Sequence, residues 1–176
     1  TNPSQTSYNR LMIITQIVAA SLNNVIGINN GLPWHMPTDS KWFRDKTWGH
    51  HIVTGRRNYE AEGKALPGRN NLVLTRNTDL QLPDAIVFHN IEDVIRYAKD
   101  QGEDELFIVG GEEIYRLAMP FTDRIYLTRI HVELEGDTYY PEPDWSLFIE
   151  VNKDSRRKDD QNPYDFDFLT YERVEK

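Results

Sequence analysis

The chain has 176 residues, a length that suits one domain and leaves no room for two full ones. Its composition, 39% hydrophobic and 27% charged, is typical of a globular protein and excludes a disordered chain or a collagen-like fibre. No stretch approaches the roughly 18 consecutive apolar residues of a membrane span. The absence of cysteine excludes disulfides and thiolate metal sites. It also fits a reducing compartment, so we expect a cytoplasmic protein.

The formal net charge of −8 is unevenly distributed along the chain. Residues 41–76 carry eight bases and three acids, whereas residues 77–176 carry 11 bases and 24 acids. A basic segment in an acidic chain indicates either a local anion site or a solvated basic face. The overall negative charge argues against general affinity for nucleic acid.

The predicted elements begin after a polar segment. Residues 1–11 are expected to be a disordered leader, and residues 12–176 to form a single domain. Residues 11–20 are almost continuously apolar and β-branched, which predicts a strand buried on both faces. A loop rich in glycine, asparagine and proline follows. Further strands are predicted at 50–55, 70–75, 85–89, 106–111 and 124–136, and helices at 40–46, 56–62, 91–100 and 112–119.

The C-terminal part of the chain is rich in predicted strands. Residues 145–151 and 166–174 are expected to form a hairpin around the polar segment 153–163. Strands that alternate with helices and give way to a strand-rich end predict an α/β fold. We expect a mostly parallel sheet with an antiparallel edge.

Two segments, 53–60 and 108–115, each combine a strand, a glycine and the start of a helix. Ligands of parallel sheets bind at the carboxyl ends of strands, where glycine lets the backbone approach a phosphate. Neither segment is a GxGxxG or P-loop motif, so ordinary turns and a nucleotide site both remain open.

Arginines lie where a helix usually carries acids. Arg56 and Arg57 open the predicted helix at 56–62, and Arg76 follows the next strand. The positive end of the helix dipole disfavours a second positive charge unless an anion is bound there. The arrangement therefore favours a phosphate site over a solvated surface.

Asp39 is the only acid among the first 44 residues, and it is near Trp34, Trp42 and Phe43 in the sequence. Such a carboxylate either neutralises a helix dipole or recognises an amidine-like heterocycle in an aromatic cleft. The five histidines share no metal-binding spacing, and the adjacent His50 and His51 are not expected to face one centre. We therefore expect no metal site and find no nucleophile–base triad.

Four segments together resemble dihydrofolate reductase: VIGINNGLPWHMPTD (25–39), TGRRNYEAEGKALPGR (54–69), IVGGEEIY (108–115) and LTRI…EGDTYYP (127–141). The resemblance runs in order from about Ile13 to Tyr171. It implies a twisted eight-stranded, mostly parallel sheet with an antiparallel C-terminal edge and helices on both faces. It also implies NADPH-dependent reduction of 7,8-dihydrofolate to tetrahydrofolate by hydride transfer to C6 and protonation at N5.

The resemblance implies roles for individual residues. Asp39 would bind the pterin, Trp34 would hold an ordered water nearby, and Thr128 would be the hydroxyl partner of the acid. Arg69 would bind the α-carboxylate of the glutamate tail, and residues 27–36 would close over the nicotinamide. The remaining substrate-binding residues would be Ile17, Val18, Phe43, Leu66, Val109 and Tyr115. The cofactor would be held by Ala19, Ile26, Gly55, Arg56, Arg57, Asn58, Leu74, Thr75, Arg76, Gly110 and Gly111.

Ser40, Asn58 and Glu62 depart from the common pattern of the family, which affects expected affinities and not the reaction type. The implied partners are dihydrofolate and antifolates, and we expect a monomer. Two alternatives remain: a pyrimidine-type reductase of riboflavin synthesis, which shares the fold, and a non-catalytic nucleotide-binding protein. The Trp34–Asp39 segment and Arg69 argue against the reductase, because these residues fit a pterin with a glutamate tail. A non-catalytic protein would keep the glycine turns but would need no acid in the cleft.

Overall fold

A computed structural model describes residues 11–174, and strands and helices alternate through the first three quarters of it. The strands are β1 (Ile13–Ser21), β2 (Val25–Gly27), β3 (His51–Gly55), β4 (Asn70–Leu74), β5 (Ile86–Phe88), β6 (Glu105–Gly110), β7 (Arg124–Ile130), β8 (Thr138–Tyr139), β9 (Phe148–Arg156) and β10 (Phe166–Arg173). The helices are α1 (Pro37–Thr47), α2 (Arg56–Glu62), α3 (Ile91–Asp100) and α4 (Glu112–Ala118).

Eight strands form one sheet in the order β5-β4-β3-β6-β1-β7-β10-β9. The six strands from β5 to β7 are parallel, whereas β10 runs antiparallel to both β7 and β9. Strands β2 and β8 form a separate antiparallel pair. The predicted fold class, a mostly parallel sheet with an antiparallel C-terminal edge, is confirmed.

Strand β1 lies near the middle of the sheet, and its alternating side chains contribute to the core on both faces. Ile14 and Val18 belong to the apolar cluster that also contains residues of α3 and α4. Ile17 points to the opposite face, in a cluster that packs against Phe43 of α1. Because both faces are covered by helices, β1 is buried over nearly its whole length, as its continuous apolar sequence predicts.

Three predicted strand boundaries are wrong. The strand expected at 124–136 ends at Ile130, because the amide of Val132 turns back to donate to the Ile130 carbonyl. The chain then leaves the sheet, and β8 pairs with β2. The strand expected to start at residue 145 begins at Phe148, since the Asp144 carboxylate accepts the Ser146 amide at 3.0 Å and caps a short 3₁₀ turn.

Strand β9 also extends to Arg156, into the segment predicted to be a polar connection. It is an edge strand, and most of its side chains are exposed. The ladder to β10 is made by the backbone and needs no apolar side chains, so hydropathy does not reveal this half of the strand. The predicted leader, except Leu11, lies outside the described residues, and the single domain over 12–176 stays a prediction.

A fully buried polar network ties β1 to the end of α4 and to the chain after β8. The Gln16 amide nitrogen donates to the Tyr115 carbonyl and to the Thr122 hydroxyl, both at 3.0 Å. Its amide oxygen accepts the Tyr140 hydroxyl at 2.7 Å. Buried polar groups cost stability when they lose a partner, so this side chain holds three distant segments together.

We expect Gln16→Leu to lower the free energy of unfolding by about 2–4 kcal/mol, because Tyr140 and the Tyr115 carbonyl lose a buried partner. Urea unfolding measures this loss. The double variant Gln16→Leu/Tyr140→Phe should lose less stability than the sum of the two single variants. It removes both the Gln16 amide oxygen and the Tyr140 hydroxyl, so neither group stays buried without its partner. Gln81→Leu, at an exposed glutamine, is the matched control and should change stability by no more than about 0.5 kcal/mol. Additive losses in the double variant would contradict the network.

Candidate functional site

The carboxyl ends of the central parallel strands meet at one edge of the sheet, which is where open α/β folds bind ligands. Strand β3 ends at Gly55 and the neighbouring β6 ends at Gly110. Thr128 lies in β7 beside Ala19 of β1. Helix α1, which follows the loop after β2, brings Asp39 to the same edge.

The carboxylate of Asp39 is held by a buried hydroxyl. Asp39 lies in the first turn of α1, and its Oδ1 accepts the Thr128 hydroxyl at 2.7 Å. Thr128 is only 2% exposed. Burial raises the pKa of Asp39 to about 6, and the bond from Thr128 opposes that rise. The acid can therefore change its protonation near neutral pH, as a proton-handling group requires.

Aromatic side chains of α1 and the loop before it pack against the antiparallel edge of the sheet. Trp34 is buried in a cluster with Met36, Ile130 and Phe168. The Trp42 ring of α1 stacks on Phe168 of β10, with a centroid separation of 4.3 Å. Trp34 and Trp42 therefore share one aromatic cluster, to which Phe168 is added from the far end of the chain.

An apolar pocket wall continues from the acid towards Arg69. Ile17, Phe43, Leu66 and Val109, predicted to line one pocket, do share one cluster. The Arg69 guanidinium lies 6.0 Å from the Phe43 ring centroid, and its Nε donates to the Pro67 carbonyl at 2.9 Å. Burial lowers the pKa of Arg69, and so does the nearby Arg44 charge, whereas Glu62 raises it. A cation beside an apolar wall can bind the carboxylate of an amphipathic ligand.

The Gly110–Gly111 pair forms a cradle without side chains between β3 and β6. The peptide bond that joins the two glycines is cis, and Gly110 has a φ of 106°. A Cβ atom on Gly110 would lie 2.9 Å from the Tyr115 ring, and one on Gly55 would lie 3.0 Å from Ile114. Only glycine fits these positions without displacing a neighbour, so Tyr115 and Ile114 pack directly against the backbone here.

Tyr115 connects this cradle to the pocket wall. Its hydroxyl donates to the Ile17 carbonyl at 2.8 Å, and burial raises its pKa, as does the charge of Asp39. The Asn58 side chain of α2 lies on the other side, with its Oδ1 3.5 Å from where a Gly111 Cβ would be. Predicted substrate-side and cofactor-side residues therefore flank one glycine pair.

The three arginines expected to form one anion site differ in their surroundings. Arg56 Nε donates to Glu60 at 2.7 Å, and Arg76 lies 3.4 Å from Glu113. Arg57 is exposed and makes no ion pair within residues 11–174. The first turn of α2 carries no acidic residue. Arg57 is thus the member of the three that is most available to a phosphate.

The other predicted cofactor-side and substrate-side residues occupy strand ends at the same edge. Val18 and Leu74 are buried in the main core, where they support the site and offer little surface to a ligand. Ala19 and Ile26 are only partly buried. The Thr75 hydroxyl accepts the Asn77 amide at 3.2 Å, which fixes the turn after β4.

The loop predicted to close over the cofactor is tied to the loop before β8. Asn29 and Asn30 adopt the left-handed backbone conformation, and the Asn29 amide donates to Asp137 at 2.9 Å. Sequence reasoning missed Asp137, and it also missed Asn162, whose amide oxygen accepts the Thr38 amide at the start of α1 at 3.2 Å. The sequence Asn-Pro at 162–163 indicates a turn, but nothing in the sequence indicates that Asn162 contacts Thr38.

The prediction that His50 and His51 cannot face one centre is wrong. The Nδ1 atoms of His50 and His51 lie 3.0 and 2.8 Å from the two carboxylate oxygens of Glu103. His50 precedes β3, so the alternation of strand side chains does not constrain it. His50, Glu103 and Asp104 are close enough to share a cation. In the structure they bond to one another, at the opposite end of β3 from Gly55.

Comparisons with known proteins identify relatives over nearly the whole chain. Residues 13–173 match the family described as dihydrofolate reductase. The chain is 40% identical to dihydrofolate reductase of Bacillus subtilis (strain 168) over 161 residues, which cover 92% of this chain and 95% of that protein. It is also 40% identical to dihydrofolate reductase of Haemophilus influenzae over 159 residues, covering 90% of this chain and 97% of that one.

A solved structure agrees with these relatives in fold. Dihydrofolate reductase from Enterococcus faecalis complexed with NADP(H) and RAB-propyl matches with a TM-score of 0.88 and 37% identity, over 93% of this chain and 97% of that one. No helix among residues 11–174 is both long and apolar enough to cross a membrane. The chain therefore belongs to the dihydrofolate reductase family, the NADPH-dependent oxidoreductases that reduce 7,8-dihydrofolate to 5,6,7,8-tetrahydrofolate.

Proposed function

We propose that the cleft between Asp39 and the Gly110–Gly111 pair carries out this reduction, with Asp39, Trp34 and Thr128 as the catalytic residues. The observation that carries the proposal is the Asp39 carboxylate, held at 2.7 Å by a buried hydroxyl, on a helix whose Trp42 and Phe43 side chains belong to apolar clusters. A carboxylate in such a place matches the 2-amino and N3 donors of a pterin by charge and by hydrogen bonding.

The substrate lies, in this proposal, between Asp39 and Arg69. Ile17, Phe43, Leu66 and Val109 share one apolar cluster that spans this distance, and Val18 and Tyr115 support it from β1 and α4. Arg69 binds the carboxylate of the glutamate tail. The two charged ends fix the register of the substrate, and the apolar wall excludes water from the ring.

The glycine cradle fits a flat cofactor that must approach the substrate closely. NADPH supplies a hydride when it is bound. Gly55, Gly110 and Gly111 would present bare backbone to it, and Gly55 and Gly110 cannot gain a side chain without displacing Ile114 or Tyr115. Two of the other residues proposed to hold it, Ala19 and Ile26, are partly exposed. The remaining ones are Arg56, Arg57, Asn58, Leu74, Thr75 and Arg76.

The chain's own contribution to protonation comes from Asp39. Its carboxylate binds the side of the pterin that carries N3, polarises the ring and so favours a proton at N5, which arrives through water ordered near Trp34. The pKa of about 6 keeps the acid mostly ionised at neutral pH, while its burial strengthens every electrostatic interaction with the ring.

The compartment, the oligomeric state and the binding of antifolates are also part of the proposal. We propose a cytoplasmic monomer that binds antifolates at the same cleft. The absence of cysteine from the sequence fits a reducing compartment. Light scattering after size-exclusion chromatography measures the mass in solution, and a dimer mass would contradict the monomer.

Asp39→Asn tests the proposed role of the acid. Turnover should fall by about 10²–10⁴-fold at neutral pH, because polarisation of the ring is lost. The remaining activity should rise as the pH falls, since substrate that is already protonated at N5 no longer needs the acid. Asp45→Asn on the same helix, where Lys41 pairs with an exposed carboxylate at 2.6 Å, is the matched control and should keep normal turnover. Near-normal turnover in Asp39→Asn would contradict the assignment.

The same change should alter stability in a defined pH range. The folded pKa of Asp39 is raised, so the native state binds more protons than the unfolded state between about pH 4 and pH 6. Wild-type stability should therefore decrease as the pH rises through this range, and Asp39→Asn should remove that decrease. At neutral pH we expect the variant to be more stable by about 1–2 kcal/mol, measured by urea unfolding without ligands. A variant less stable than wild type at neutral pH would contradict the cost assigned to the buried charge.

Arg57→Ala tests the proposed preference for NADPH over NADH. The KM for NADPH should rise about tenfold or more and become less sensitive to salt, because a charge-assisted contact to the adenosine 2′-phosphate is lost. The KM for NADH, which lacks that phosphate, should stay nearly unchanged. Arg96→Ala on α3, whose guanidinium lies 3.6 Å from Asp93, controls for the loss of a surface charge. Equal losses for both cofactors would assign Arg57 a structural role.

A further inference from the structure

Helix α1 begins without a cap of its own. Met36 occupies the position before the helix and offers no side-chain hydrogen bond, and Pro37 opens the first turn. The first amides of a helix have no partner within the helix and must find one elsewhere. This first turn carries Asp39, so its order matters directly for the site.

The missing cap comes from a loop that is far away in sequence. Asn162, in the connection between β9 and β10, accepts the Thr38 amide through Oδ1 at 3.2 Å. Its Nδ2 donates to the Thr38 hydroxyl at 2.8 Å. Asparagine is among the residues that cap helices best, and the second position of a helix is where a capping oxygen normally binds. Asn162 is 1% exposed, so the pair is shielded from competing water.

Asn162 is itself held in place by Asp159. The Asn162 amide donates to Asp159 Oδ1 at 2.8 Å, its Nδ2 donates to the same atom at 3.0 Å, and the Asp159 amide returns a bond to the Asn162 carbonyl at 2.9 Å. The Gln161 amide adds a further bond at 2.9 Å. The loop is thus closed on itself and presents the Asn162 side chain in one orientation.

Asn162 and Thr128 hold the start of α1 from the same part of the sheet. Thr128 in β7 pairs with Phe168 in β10, and β10 continues directly from the Asn162 loop. Phe168 also stacks on Trp42 of α1. Helix α1 is therefore attached to this part of the sheet through Thr38, Asp39 and Trp42, and Asp39 is the middle one of these three contacts.

We propose that Asn162 is a positioning residue for the reduction: it fixes the first turn of α1 and so keeps the Asp39 carboxylate against Thr128 and the substrate ring. This inference rests on the proposed function of Asp39. Thr38 directly precedes Asp39, so fraying of its amide moves the carboxylate. A displacement of about 1 Å at a reacting group can cost as much as about 10²-fold in rate.

The chain provides a matched control for the loss of such a cap. Asn90 caps α3, where its side-chain oxygen accepts the Asp93 amide at 2.9 Å. None of the residues proposed for the site lies in α3. Asn90→Ala and Asn162→Ala therefore each remove a side-chain cap from one helix, and only one of these helices carries the catalytic acid.

The experiment compares these two variants in the wild-type and Asp39→Asn backgrounds. Steady-state kcat and KM for dihydrofolate, the Kd for NADPH and urea unfolding are measured for each. We expect Asn162→Ala to lower kcat/KM for dihydrofolate by about tenfold or more and to leave the Kd for NADPH within about twofold. Asn90→Ala should lower the urea midpoint by less than Asn162→Ala does, because Asn90 is exposed, and should leave kcat/KM unchanged.

The double variant separates positioning from a general loss of structure. In Asp39→Asn, whose activity no longer depends on the carboxylate, Asn162→Ala should reduce kcat/KM by less than about twofold. An equal reduction in both backgrounds, or normal kcat/KM in Asn162→Ala, would overturn the positioning role. Normal turnover in Asp39→Asn alone would instead overturn the proposed function, so the two failures are distinguishable.

Asp159→Ala keeps the test decisive if Asn162→Ala does not fold. Asp159 is exposed, and its removal leaves Asn162 present and only loosens its orientation. We expect kcat/KM for dihydrofolate to fall about two- to fivefold in the wild-type background and to stay unchanged in Asp39→Asn. Unchanged kcat/KM in the wild-type background would contradict the proposal.

Discussion

The structure depends on keeping one carboxylate away from water at the edge of a sheet. Asp39 bonds to a hydroxyl that is 2% exposed, and burial raises its pKa to about 6. A charge in that position costs stability in the absence of a ligand. It remains there because α1 is attached to β7 and β10 by Thr128, Trp42 and Asn162.

The sheet order explains why residues so distant in sequence can share one site. Strand β6 inserts between β1 and β3, which brings Gly110 beside Gly55 and Tyr115 beside Ile17. Strand β10 pairs antiparallel with β7, so a strand from the end of the chain packs against helix α1. Buried polar groups such as Gln16 fix these long-range contacts, because each would lose a partner if the segments separated.

The two ends of the parallel strands have different tasks. At the carboxyl ends lie the glycines and the partly exposed side chains of the proposed site. At the amino ends, His50 and His51 both bond to Glu103, whose carboxylate also accepts backbone amides. Burial raises the pKa of Glu103, but these hydrogen bonds outweigh it and the net shift is downward. One end is organised for binding and the other for stability.

The sequence by itself determined the fold class, most element positions and the glycine turns, because these depend on local hydropathy and turn chemistry. Only the tertiary structure decided where the β7 strand stops, how far the exposed edge strand β9 extends and which oxygen caps α1. It also brought His50 and His51 to the Glu103 carboxylate. Arg56 and Arg76 form ion pairs, whereas Arg57 forms none within residues 11–174. These features depend on partners that are distant in the chain, and a hydrogen bond between Thr38 and Asn162, 124 positions apart, leaves no local pattern in sequence.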